Sequence, residues 1–184
     1  MAENKVQYNL KNVHYCPITT ESPLTYASAV AVPGAVSLSL AQVGELKKFY
    51  ADGIPYWVGT SNNGYEGDLE IARIPDQMLQ DIWGMALEET DNVIVENVND
   101  EQKSFALMFQ IDGDENDNLY CFYNCTASRP GIDAATNEES KEPKPQKLSL
   151  TIAPLADGRI KASTSATATE SVRSAWFTAP YEHA

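Results

Sequence analysis

Between residues 35 and 41 apolar and polar side chains alternate: Val36, Leu38 and Leu40 fall on one side of an extended chain, Ser37 and Ser39 on the other. Val30-Ala31-Val32-Pro33-Gly34 supplies the turn before it. The same period returns at 65–72. There Tyr65, Gly67, Leu69 and Ile71 share one face, Glu66, Asp68 and Glu70 take the other, and Pro75 closes the segment. Between these strands, 49–53 ends in a turn and 54–60 reads as another strand. Its Pro55 has no N–H to donate, which suits a sheet edge or a strand start. Asn63-Gly64 is a tight hairpin-turn signal. The period then changes to that of a helix. Met78, Leu79, Ile82, Trp83, Ala86 and Leu87 form one stripe over 76–89, Asp76 is placed to cap it, and Asp76 and Asp81 lie near the positive end of its dipole. Leu79, Ile82 and Trp83 are the expected packing contacts over a sheet, with no chemical role.

Val93-Ile94-Val95 is a short strand or a loop. A stronger hairpin follows, with strands at 105–111 and 119–128 joined by the polar segment 112–118. In its second strand Cys121, Tyr123 and Cys125 oppose Tyr120, Phe122 and Asn124. Both faces are largely apolar, so each needs cover: core on one side, a helix or a neighbouring chain on the other. Residues 129–147 are poor in apolar side chains, hold Pro130, Pro143 and Pro145, and read as a long exposed loop. Alternation returns at 148–152, and Asp157-Gly158 turns the chain into 159–162. Thr167 with Glu170 is a capping-box pattern for a short helix carrying Val172, Ala175 and Trp176. Residues 1–29 are weakly periodic, are interrupted by Pro17 and Pro23, and read as an arm or irregular entry segment. Nothing marks a domain boundary, so residues 1–184 read as one mainly β domain with one main helix.

Charge narrows the function classes. The chain carries 13 Lys and Arg against 26 Asp and Glu, a net −13. Such a surface repels phosphate backbones and argues against a protein that grips nucleic acid, though not against a passage through which it slides. Sixteen of the acids lie within 50–118, opposed only by Arg73 and Lys103, whereas Lys47, Lys48, Lys141, Lys144 and Lys147 flank that stretch. This polarity suits identical subunits joining acidic part to basic part. No apolar run is long enough to span a membrane, and no apolar leader opens the sequence. Three cysteines, Cys16, Cys121 and Cys125, do not make a disulfide scaffold and fit a reducing compartment.

The candidate chemistry is thin. Residues 112–118 resemble the start of a calcium loop, but Asp117 stands where the sixth-position Gly is required and Tyr123 where the twelfth-position Glu is required. His14 and His183 make no zinc spacing with the cysteines. His14 and Cys16, on either side of Tyr15, make only a weak Cys–His nucleophile signal. Glu66, Asp68 and Glu70 have the residue types of a glycoside hydrolase pair, but neighbours on one strand face are usually solvated. There is no phosphate-binding glycine loop and no serine elbow. The expectation is a protein without catalytic residues, cofactor or metal.

Five motifs occur in order: Val32-Pro33-Gly34-Ala35-Val36-Ser37-Leu38-Ser39, Phe49-Tyr50-Ala51-Asp52-Gly53, residues 63–72 (NGYEGDLEIA), residues 123–130 (YNCTASRP) and residues 136–143 (TNEESKEP). With them the chain, from about Asn12 to Tyr181, resembles the major tail proteins (tail tube proteins) of long, non-contractile-tailed phages of Gram-positive bacteria. The resemblance implies a tail-tube-type β-sandwich or barrel with one flanking helix and extended hairpin or loop arms. It implies hexameric rings stacked into a tube, with hairpins from each subunit completing an inner β-barrel. The implied partners are further copies of the chain, the tape measure protein, the tail terminator and the distal tail or initiator proteins, with double-stranded DNA only in transit. The implied setting is the virion tail, built in the host cytoplasm, and the expected organisation is a single tail tube domain with no C-terminal immunoglobulin-like domain. Glu66, Asp68 and Glu70 are then the candidate channel-facing acids, and Arg129, Glu138, Glu139 and Lys144 the candidate inter-subunit loop residues. The competing classes are a β-sandwich binding or adhesion module, which an exposed aromatic platform would favour, and a small carboxylate-dependent hydrolase, which needs a cleft gathering distant acids.

Overall fold

The computed structural model describes residues 4–134, 136 and 143–182. Its strands are β1 (Gln7–Glu21), β2 (Leu24–Tyr26), β3 (Val30–Ala31), β4 (Ala35–Gln42), β5 (Leu46–Ala51), β6 (Ile54–Thr60), β7 (Tyr65–Ile71), β8 (Ala86–Glu88), β9 (Val93–Val95), β10 (Phe105–Gly113), β11 (Asn118–Ala127), β12 (Gln146–Ile152) and β13 (Lys161–Ser163); helices α1 (Asp76–Trp83) and α2 (Glu170–Ala175) complete it. The main sheet runs β2-β1-β10-β11-β12-β7-β4, with β3 beside β1 and β13 beside β11, every pairing antiparallel. It curls until β1 and β4 approach each other, but no barrel closes. The fold is mainly β with one principal flanking helix, as the alternation predicts.

The concave side holds the larger core. Leu69 and Ile71 of β7, Leu148, Leu150 and Ile152 of β12, and Phe105, Leu107 and Phe109 of β10 meet Met78, Ile82 and Trp83 of α1. The convex side of β1, β10 and β11 carries a second cluster of Cys16, Ala106, Met108, Leu119, Cys121 and Tyr123. Trp176, just after α2, closes this cluster, its indole N–H donating to the Tyr120 carbonyl. The two apolar faces expected of the second hairpin strand are therefore both covered within one chain. Cys125, however, leaves the face of Cys121 and Tyr123 and joins the Phe122 side, because the β10–β11 register shifts between Phe105 and Leu107. All three thiols are free and buried, and burial pushes Cys16 and Cys121 up to about 12 and Cys125 upward as well, which keeps them protonated and inert.

Five further expectations are corrected. Most of the segment 1–29 is not an arm or an irregular entry: β1 (Gln7–Glu21) is the longest strand among the described residues, with Tyr15 and Cys16 fully buried. Bulges at Asn9 and Asn12, both at positive φ, reset its phase and erase the alternation in the sequence. Val36 does not share the face of Leu38 and Leu40. It sits at a register shift between Ala35 and Ser37 and is exposed. The main helix ends at Trp83, not at 89, because Gly84 takes the left-handed conformation (φ +70°) that terminates helices, and Leu87 then lies in the β8–β9 hairpin. Pro75, not Asp76, occupies the cap position, while Asp76 binds Arg73 at 3.1 Å. The second helix is capped by Thr169, not Thr167.

Ile82 and Trp83 are fully buried and Leu79 is partly so, as the stripe predicts. The Trp83 indole N–H has no partner in its apolar site. Replacing Trp83 by Ala should cost about 3–5 kcal/mol through the cavity it leaves. Trp83→Phe should cost much less, because it also removes an unsatisfied donor. Urea denaturation checks both, and equal losses would show that the indole ring is not what fills the site.

Candidate assembly surface

β4 and β7 do not end at the sheet. Through Val43-Gly44-Glu45 and residues 61–64 they run on into β5 and β6, a two-stranded ribbon. The joint is tied across both strands. The Val43 N–H donates to the Gly64 carbonyl (2.9 Å), Asn63 N–H to the Val43 carbonyl (2.8 Å), and Ser61 N–H to the Glu45 carbonyl (3.1 Å). Pairing places Lys47, Phe49, Trp57 and Gly59 on one face and Leu46, Lys48, Val58 and Thr60 on the other. Trp57 lies across Gly59, leaving no room there for a β-carbon. Phe49 is 61% exposed and Trp57 59% on one face, Leu46 58% and Val58 50% on the other. Tyr50, Ile54 and Tyr56 at the tip are equally open. A two-stranded ribbon is marginal in water by itself, and apolar groups open on both faces mark an interaction site.

The strand from which the ribbon grows is also open. β4 pairs only with β7, so its other edge is unpaired among the described residues, and its eight residues include no charge and no proline. Natural sheets blunt edges with such residues, and this one does not.

On the sheet's polar side Glu66, Asp68 and Glu70 do lie on one face of β7, opposite buried Leu69 and Ile71. They are flanked by Ser37, Ser39 and Ala41 of β4 and by Lys147, Ser149 and Thr151 of β12. Lys147 is 2.9 Å from Asp68, and Ser149 donates to the same carboxylate at 2.8 Å. The Lys147 contact first, then the serine, holds the Asp68 carboxyl below its usual range, and the same pair raises Lys147. Ser37 donates to Glu70 at 2.9 Å. The face is therefore open, hydroxyl-rich and acidic, with one lysine set among the three acids.

Of the candidate loop residues, Arg129 and Lys144 are among the described ones. Arg129 pairs with Glu96 and donates to the Asp100 carbonyl, fastening the loop's start to the β9–β10 connection. Lys144 is exposed. Glu138 and Glu139 lie outside the described residues. At the 112–118 turn the acids are used internally: Lys11, Asn9 and Gln110 contact Asp112, and Asp114 accepts from the Lys5 N–H. Among the described residues no group of three His, Cys, Asp or Glu side chains is placed to hold a metal, and no helix is long and apolar enough to cross a membrane. The exposed side chains of the ribbon are what the sequence reading misses. A run apolar on both faces is consistent with a buried strand, and only its pairing and exposure show that nothing among the described residues covers it.

Neither the family models nor the curated proteins compared with the chain yield a match.

Proposed function

We propose that the chain is a structural subunit of a phage tail tube, self-associating into six-fold rings that stack around a negatively charged channel through which DNA passes. The β5–β6 ribbon carries this reading. It offers large apolar side chains on two faces that none of the described residues covers, and it continues from an uncharged edge strand, unpaired among the described residues, able to extend a sheet into a neighbour. Such a contact joins one patch to a different patch, and repetition closes a ring or builds a filament. The acidic face of β7 adjoins the same edge strand and suits a wall that does not retain phosphates.

The exposed Phe49 and Trp57 favour a second reading, the binding or adhesion module with an aromatic platform. A platform for a small ligand is apolar on one face and backed by a core on the other. The ribbon has no such backing, which favours assembly. Negative-stain microscopy of concentrated protein, with and without tail initiator components, separates the two. Six-fold rings or tubes are expected; a monomer under both conditions would overturn the proposal.

A further inference from the structure

We infer that the β5–β6 ribbon of one copy docks on the β8–β9 hairpin of a second copy. This rests on the self-association proposed above and adds the receiving surface to it.

The two hairpins are complementary. In β8–β9 the pairs Ala86–Val95 and Glu88–Val93 share the outward face, while the Leu87–Ile94 pair is on the other, where Ile94 packs against the main core. Val93 and Val95 are 52% and 43% exposed, and Val98 just beyond is almost fully so. This apolar strip is rimmed by Glu88, Glu89 and Asp91, all exposed and none in an ion pair among the described residues. The ribbon presents the opposite arrangement, with apolar residues on each face and a lysine beside them, Lys47 on one and Lys48 on the other. Lys47 reaches only a loose intra-chain contact with Glu45 at 3.5 Å, both side chains exposed, so little has to be broken to redirect it. A second copy therefore supplies what each hairpin lacks: apolar cover and countercharge at its rim. One chain carries both halves as separate patches, so the contact is head-to-tail and propagates without a second kind of subunit.

Charge reversal tests the pairing directly. The full chain would be made with K47E/K48E, and separately with E88K/E89K/D91K, and checked for unchanged circular dichroism and melting. Each variant alone sets like charges against each other at the contact, and should need a protein concentration raised about tenfold or more to assemble, read by sedimentation and microscopy. Mixed at equal amounts, the two variants should assemble again, because each one's ribbon now matches the other's hairpin. Folded variants that assemble alone like the wild type would overturn the inference, and so would a mixture that stays as defective as its parts. In both cases wild-type tubes leave the tube proposal standing. A wild-type chain that remains monomeric even with initiator overturns both. A variant that fails to fold is replaced by its neutral form, K47Q/K48Q or E88Q/E89Q/D91N, in which a weaker loss of assembly at low salt is expected and its absence counts against the pairing.

Discussion

A chain in which Asn-Gly replaces Leu46–Thr60 should fold as the wild type does and should not polymerise. Glu45 and Ser61 already face each other across the joint, with the Ser61 N–H on the Glu45 carbonyl and the Glu45 N–H on the Ser61 hydroxyl (3.0 Å). A two-residue turn of the Asn-Gly type closes an antiparallel pair at that separation. No ribbon residue belongs to either core cluster, so the deletion removes no core packing. It does remove the seven most prominent apolar side chains of the ribbon, Leu46, Phe49, Tyr50, Ile54, Tyr56, Trp57 and Val58. Melting followed by circular dichroism should match the wild type, with tubes absent in micrographs at any concentration. Tubes of normal length from the shortened chain would show that assembly runs through another surface. A lost β signal would show that the ribbon is part of the fold after all. Trp57 gives a check without deletion. It is the one tryptophan in the open, Trp83 and Trp176 being buried, so wild-type emission should move to shorter wavelength on assembly and Trp57→Phe should abolish the shift.

What the sequence discloses follows from where each pattern is generated. β7 was legible in full because one of its faces meets a core and the other meets water within the same chain, which is the condition that produces strict alternation. β1 is covered on both sides at its middle, Tyr15 in the main core and Cys16 in the second cluster, and was hidden as well by its bulges at Asn9 and Asn12, which shift the phase twice within six residues. The α1 stripe was legible at its start and overextended at its end. Ala86 and Leu87 happen to fall in helical phase beyond Gly84, and a stripe count does not register a left-handed glycine. The ribbon was legible as a strand and a turn but not as an open surface. Hydropathy reports that a residue avoids water and is silent about which chain shields it, so the pattern gives a turn at 49–53 and a strand at 54–60 without showing that Phe49 and Trp57 stay uncovered. The acidic face was legible as a face, but Lys147 was not, because a strand some 80 positions later brings it to Asp68.

That lysine bears on the other large effect, the response of DNA transit to the charge of β7. In the proposed tube a six-fold ring would gather about 18 carboxylates from Glu66, Asp68 and Glu70 and about six lysines from Lys147 in each layer, an excess of negative charge that keeps a phosphate backbone mobile behind its counterions. Changing Glu66, Asp68 and Glu70 together to Lys would place them beside Lys147 and turn the wall wholly cationic. The three side chains are outside the core, and the Asp68–Lys147 pair is a surface ion pair of small worth, so folding and ring formation should survive. DNA release should then slow by an order of magnitude or more, because each phosphate held by a lysine must recover its counterion to leave, and the slowing should diminish as salt is raised. The neutral counterpart, Glu66→Gln, Asp68→Asn and Glu70→Gln, should release DNA at close to the wild-type rate, which separates capture by added cations from the loss of particular hydrogen bonds such as those from Ser37 and Ser149. Release timed by dye entry or by light scattering after triggering, across a range of salt, gives the comparison. A lysine tube that empties as fast as the wild type, or a tube map with these carboxylates on the outer wall, would remove β7 from the channel and leave the ribbon's part in assembly to be judged by itself.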